Sequence, residues 1–400
     1  MIKKYLSIAC VCGLLIGLAG VAADREVYQI PQEEPKVEVY VPTAMEKYEE
    51  ALSKGTDLRF WYDDASYDAY FKTMAANYYD KTGVVVALTY VDSMDYVGDI
   101  YDATMKDGAY PDAYLLSGEE LEKAHLYGVA GENNLGDAFV GMVANNAITA
   151  SECHGKMFGY PLSFNVCLLA YNNQYFETAP ESLQAIIDYS DDNEPDENVQ
   201  YLLEWDAYDP FFGFLFVSES VVLNAEGIGV LEASYDEPLL EKSLLFLEES
   251  LASFSLPLDT VTEESVIADV MNGTTLCAIV DSDSMVQLAE AAYDIAEFPR
   301  LNEELDAQSV ALTDMVLVND YTEKTDMASA FAKYITLDNY ASVWEMTGHY
   351  PVQLQGNADA HASVAYQAYE KAIPAPNSQD AGGFWIHIKE IITEVIKEQL

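Results

Sequence analysis

Basic side chains are scarce in this chain. Its 400 residues carry 19 lysines and arginines against 68 aspartates and glutamates, a net charge of −49. So acidic a surface is repelled by nucleic acid and by anionic lipid, and no basic patch with interleaved aromatics offsets it. Cysteine is also rare. Of the five, Cys10 and Cys12 lie in the N-terminal apolar segment, leaving Cys153, Cys167 and Cys277. An odd, small count argues against a disulfide framework and for buried thiols, although Cys153 and Cys167 lie near enough in sequence to pair. The histidines (His125, His154, His349, His361, His387) are scattered without zinc spacing, so no metal site is expected. No serine or cysteine nucleophile motif, phosphate loop or dinucleotide turn is present, and no cofactor is implied. Beyond residue 23 no apolar run is long enough to span a membrane.

What the chain has begins with a leader. Lys3 and Lys4 precede an apolar run over residues 5–18, and Val21-Ala22-Ala23 supplies small residues for cleavage. Residues 1–23 therefore read as a signal peptide. The protein is expected to be exported, periplasmic or extracellular and associated with the cell envelope. Cys10 and Cys12 have the wrong residues before them for a lipid anchor. Residues 24–56 read as an acidic leader, with a short helix over 43–53.

From residue 57 the pattern alternates. Residues 57–64 form a strand ending in acids, and Tyr67, Tyr70, Phe71, Met74 and Tyr78 follow at helical spacing. Residues 84–91 read as a strand buried on both faces, and 108–116 as a third. Strand, helix, strand, helix, strand predicts a parallel α/β sheet. Residues 155–173 then hold two apolar runs, 156–161 and 166–171, joined through 162–165. Pro161 cannot donate to a ladder, so it must end a strand or sit on an edge. Taken alone the two runs read as a β-hairpin. Later segments predict helices over 238–253, 262–271, 325–337 and 382–397, with strands over 275–280, 293–298 and 310–318. Asp209-Pro210 starts a helix in an aromatic stretch. The run 188–197 carries six acids and no base, and reads as a solvated loop.

Several phrases, in order, resemble the extracellular solute-binding proteins of ABC importers, in the family of the maltose-binding protein. They are Trp61-Tyr62-Asp63-Asp64; Tyr79-Asp80-Lys81-Thr82-Gly83-Val84-Val85-Val86; Gly108 with Pro111-Asp112; Gly155-Lys156 and Gly159-Tyr160-Pro161 with Tyr171-Asn172; Asn272-Gly273 leading to Ala278; and Thr347-Gly348-His349-Tyr350-Pro351-Val352. The resemblance covers residues 57–400. It implies an α/β fold: a two-lobed, periplasmic-binding-protein-like clamp, each lobe a sheet flanked by helices, joined by crossing hinge segments. The N-lobe is expected over 57–162 and 303–345, and the C-lobe over 163–302 and 346–400. Residues 162–165 then become a first crossing, with others near 298–303 and 345–350, in place of a hairpin.

In open α/β sheets ligands lie beyond the carboxyl ends of strands. That rule selects Tyr62, Asp63 and Asp64; Leu116, Ser117 and Glu119; and Asp281, Ser282 and Asp283. The crossing adds Ser163 and Asn165. By resemblance, Asp209, Phe211 and Trp385 complete the cleft. Tyr62, Phe211 and Trp385 are expected to stack on sugar rings, and Asp63, Asp209, Asn165 and Asp283 to accept hydroxyls. The resemblance thus implies a monomeric, non-enzymatic receptor for a carbohydrate, with ABC permease subunits as partner. The abundance of acids keeps open a cationic ligand such as a polyamine on the same fold. An exported glycosidase using Asp63 and Asp209 is the remaining alternative.

Overall fold

The computed structural model describes residues 42–399 apart from 107–108, 194, 226–230, 255, 259, 290, 354–359 and 379–380. The signal peptide, Cys10, Cys12 and most of the expected leader lie outside these residues. Helix α1 (Ala44–Leu52) opens on a capping box between Thr43 and Glu46. It is part of the folded body: Tyr48 donates its hydroxyl to the Val86 carbonyl, and Lys47 pairs with Asp80.

Strand β1 (Leu58–Tyr62) alternates buried and half-buried residues, the period-two pattern of a strand packed on both sides. Helix α2 (Asp68–Thr82) buries Tyr70, Phe71, Met74 and Tyr78 on one face and ends at Gly83, whose φ of +79° suits glycine. Burial of Phe71 or Met74 contributes about 1.5–3 kcal/mol each. Strand β2 (Val86–Tyr90) lies parallel to β1 and ends the sheet. Its apolar sequence predicts burial on both faces, but only Val86 is buried and Thr89 and Tyr90 are exposed, because an edge strand has a neighbour on one side only. Helix α3 (Tyr96–Met105) and β3 (Ala113–Ser117) follow, with β3 parallel to β1.

Strand β4 (Tyr160–Asn165) belongs to this first sheet, and β5 (Cys167–Asn172) to a second. The crossing therefore sits at Val166, one residue past the expected 162–165, and the hairpin reading fails. Val166 is fully buried, and its backbone bonds to the other sheet's Ser282 in both directions: its N–H donates to Ser282 Oγ and its carbonyl accepts from the Ser282 N–H. Pro161 is the second residue of β4, paired with Met315 on one side only. It is tolerated beside a register shift in the pairing with β9 (Val310–Val318), at Asp314/Met315, and past the end of the short strand β10 (Tyr350–Pro351), which covers only Ser163 and Phe164.

The second sheet contains β6 (Tyr201–Glu204), β7 (Thr275–Asp281) and β8 (Tyr293–Glu297), in the order β8-β5-β7-β6. Helices α4 (Pro210–Val217), α5 (Glu237–Phe254), α6 (Glu263–Asn272) and α10 (Ala381–Gln399) accompany it. The chain returns to the first sheet between Glu297 and Val310. Helix α7 (Thr325–Lys333) runs into a π-helical turn, Tyr334–Asp338, and α8 (Ala341–Thr347) packs near α2. Helix α9 (Ala360–Lys371) leads to β11 (Ile373–Pro374), which pairs with β9. Since β10 and β11 both join the first sheet, the last crossing falls after Pro374 rather than at 345–350. Cys153, Cys167 and Cys277 are buried free thiols.

Candidate functional site

The floor between the two sheets is built where β4 hands the chain to β5. Asn165 donates through Nδ2 to Asp281 Oδ2 at 2.7 Å, and its Oδ1 accepts from the Ser282 backbone N–H and hydroxyl at 3.1 and 3.0 Å. The other oxygen of Asp281 accepts from the N–H and Oγ of Ser284 at 2.8 and 2.6 Å. These expected ligand groups thus hold one another, pinning the end of β7 to the crossing. Glu263 lies 2.8 Å from Ser284 Oγ, and burial, followed by the Asp281 charge, raises its pKa. The Ser284 hydroxyl thus lies within hydrogen-bond reach of both Asp281 and Glu263.

Beside this floor stands a second network. Tyr67, fully buried, donates its hydroxyl to Asp314 Oδ2 at 2.6 Å and meets Ser163 Oγ at 2.5 Å. The His349 ring stacks on Tyr67, with centroids 4.6 Å apart at 12°. Its Nε2 lies 2.6 Å from Ser66 Oγ and 3.8 Å from Asp64, and its Nδ1 lies 2.8 Å from Asp283. Asp64 also caps the turn through the Ser66 N–H. Burial pulls His349 down, but the Asp283 contact and the charges of Asp283, Asp314 and Asp64 outweigh it and raise it to about 9.

The walls come from both lobes. The Trp385 indole N–H on α10 donates to Glu119 Oε1, just past β3, and Ser117 Oγ reaches Glu119 Oε2 at 3.4 Å. Burial, against the Trp385 and Ser117 bonds, raises Glu119 to about 7. Asp63 is raised to about 6, by burial first and then by Asp314, Glu120 and Asp64. Asp283, deep in the cleft though not fully covered, is raised by burial to about 7 in spite of His349.

Three expected residues take other roles. Tyr62 does not face the cleft: it is buried in the core, its ring edge-on to Phe71 and its hydroxyl bonded to Asp68. The alternation along β1 turns residue 62 inward and leaves Asp63 at the open end. Asp209 caps α4 through the Phe211 N–H at 2.8 Å, and Phe211 is half-buried against Phe212. Sequence reasoning missed Tyr67, Asp314 and His349. The signal for His349 was its place in the Thr347–Val352 phrase. Asp314 is an acid inside an otherwise apolar strand, a signal in itself.

Two α/β lobes joined by a chain crossing at Val166 define the architecture. Solved structures share it. A cyclo/maltodextrin-binding protein complexed with maltotetraose matches with a TM-score of 0.72 at 19% identity, covering 86% of this chain and 92% of that one. An extracellular solute-binding protein from Staphylococcus aureus in complex with maltose matches at 0.66 and 18%, covering 85% and 95%. A maltotriose-binding protein from Thermus thermophilus matches at 0.66 and 17%, covering 86% and 98%. At these identities the likeness is one of fold. No family model and no curated protein sequence matches the chain.

Proposed function

We propose that the protein is an extracytoplasmic solute-binding protein of an ABC importer, taking a sugar or oligosaccharide between its lobes. The observation that carries this reading is the opposition of Ser117 and Glu119 on one lobe to Trp385, Asp281 and Asp283 on the other, above the Asn165–Val166 crossing. An indole face beside carboxyls and an amide suits a sugar, whose ring presents an apolar face and whose edge presents hydroxyls. A ligand touching both walls favours the closed form by its differential affinity, and permease subunits would read that form. The fold neighbours bound to maltose, maltotriose and maltotetraose support the ligand class. The protein acts as a receptor and not as an enzyme.

The same walls support a second reading. Asp63, Glu119, Asp283 and Asp314 all lie above their ordinary pKa because they are recessed together, so a cation would relieve their crowding. Thermal unfolding with maltose, maltotriose, maltotetraose and spermidine separates the two. A ligand at 100 times its Kd stabilises the fold by about 2.7 kcal/mol. A melting-point rise with a sugar and none with spermidine upholds the first reading. A rise with spermidine alone replaces it with the second.

A further inference from the structure

We propose that His349 and Asp283 form an ionic latch between the lobes, one that biases the clamp toward closure independently of its ligand. The inference rests on the two-lobed fold and on these contacts, and needs no particular solute.

The first lobe holds His349 on three sides. Its ring is stacked on Tyr67, Nε2 faces Ser66 Oγ and Asp64, and the following residue enters β10 of the first sheet. Asp283 belongs to the second lobe, two residues beyond the end of β7. The 2.8 Å approach of Nδ1 to Asp283 is therefore a contact between lobes. A second contact lies beside it. Gly348 has a φ of +83°, and a Cβ at this position would meet Val286 Cγ1 at 3.1 Å with the Asp283 carbonyl oxygen at 3.7 Å. Backbone and side chain thus dock together, and a side chain at residue 348 would press on Val286 of the other lobe.

The charge environment gives the latch its sign. The groups facing it are Asp64 and Tyr67 from the turn after β1, Asp314 from β9, and Asp281 and Asp283 from the end of β7. Glu345 of α8 is exposed. Among the described residues no lysine or arginine pairs with any of these carboxyls; the ion contacts found are those of His349. Doubly protonated, His349 places its charge 2.8 Å from Asp283 Oδ1, an oxygen without another partner, while Nε2 faces Ser66 and Asp64. Both members of the latch are raised in this arrangement, His349 to about 9 and Asp283 to about 7. The closed state thus binds more protons than a state in which the two groups meet water separately, and raising the pH opens it. The Asp283 share is lost between about pH 3.8 and 7 and the His349 share between about 6.5 and 9, so the bias toward closure is gone above pH 9.

The test is small-angle X-ray scattering of the ligand-free protein between pH 6 and 10.5, with His349→Gln and Asp283→Asn alongside and far-UV circular dichroism as the check on folding. Wild type should have a compact radius of gyration at pH 6 and expand in a step complete by about pH 9. Both variants should be expanded at pH 7 and show no step. A wild-type radius that is flat across the range, or an Asp283→Asn protein that keeps the step, overturns the latch. Should His349→Gln fail to fold, the wild-type profile and Asp283→Asn still decide. No sugar enters the measurement, so failure of the carbohydrate reading leaves this result untouched.

Discussion

Two carboxyl groups on adjacent strands of the second sheet are treated in opposite ways. Asp281, at the cleft end of β7, receives hydrogen bonds from Asn165 and twice from Ser284. Glu204, at the end of β6 and in register with Ala278 of β7, is fully buried, and neither of its oxygens has a hydrogen-bond partner. Burial, helped by Asp269, raises Glu204 to about 8. At the floor, the crossing and the loop after β7 bring donors that a carboxylate can use. Under the sheet no donor reaches the acid, and burial beside Asp269 disfavours its charge. What separates these two acids is whether the structure has supplied partners to a buried polar group.

Breaking the satisfied side should cost most. Asp281→Ala strands the Asn165 amide and the Ser284 donors, and urea unfolding should show a loss of about 3 kcal/mol. The unsatisfied side should respond with the opposite sign. Glu204 has a folded pKa of about 8 against an ordinary 4.5, so the native state prefers the proton. Wild type therefore loses stability as pH rises from about 4.5 to about 8. Glu204→Gln should remove the Glu204 share of that slope, leaving those of Asp63, Glu119 and Asp283, and stand about 2 kcal/mol above wild type at pH 9, as read from urea midpoints across pH.

Tyr67→Phe removes the hydroxyl that Asp314 accepts and should cost about 1–2 kcal/mol, with the His349 stack retained. Trp385→Phe keeps an aromatic face but loses the N–H to Glu119. It should weaken the sugar-induced melting shift while changing the ligand-free melting point by only a degree or two, and it should push Glu119 further up in a carboxyl NMR titration. Tyr62→Phe is the smallest expected effect. About 1 kcal/mol of stability goes with the Asp68 bond, and the sugar response is unchanged. A changed sugar response would return Tyr62 to the cleft.

Much of the scaffold is legible in the chain because local chemistry marks it. Thr43 and Glu46 cap α1, Asp209-Pro210 starts α4, Gly83 and Gly273 end α2 and α6, and Val310–Val318 is a strand by its length and composition. What is not legible is position within the sheet. The apolar run of β2 reads as a central strand, and only its place at the end of the order exposes it. The small-residue and aromatic sequence of α9 offers no clear helical stripe. The strand-end rule selects Asp63, Ser117, Glu119, Asp281 and Asp283 by position alone, and it could not see that side-chain alternation turns Tyr62 into the core. His349 meets Asp283 and Asp64 across long stretches of sequence, so only the folded chain reveals their network.

The measurement that reaches the central claim most directly is hydrogen exchange on the purified protein with and without maltose, maltotriose and maltotetraose at saturating concentration. At least one sugar should slow exchange at Ser117–Glu120, Val166, Asp281–Ser284 and Trp385 together, on both lobes and at the crossing. Protection confined to one lobe, or no protection with any of the sugars, would contradict a carbohydrate site between the lobes.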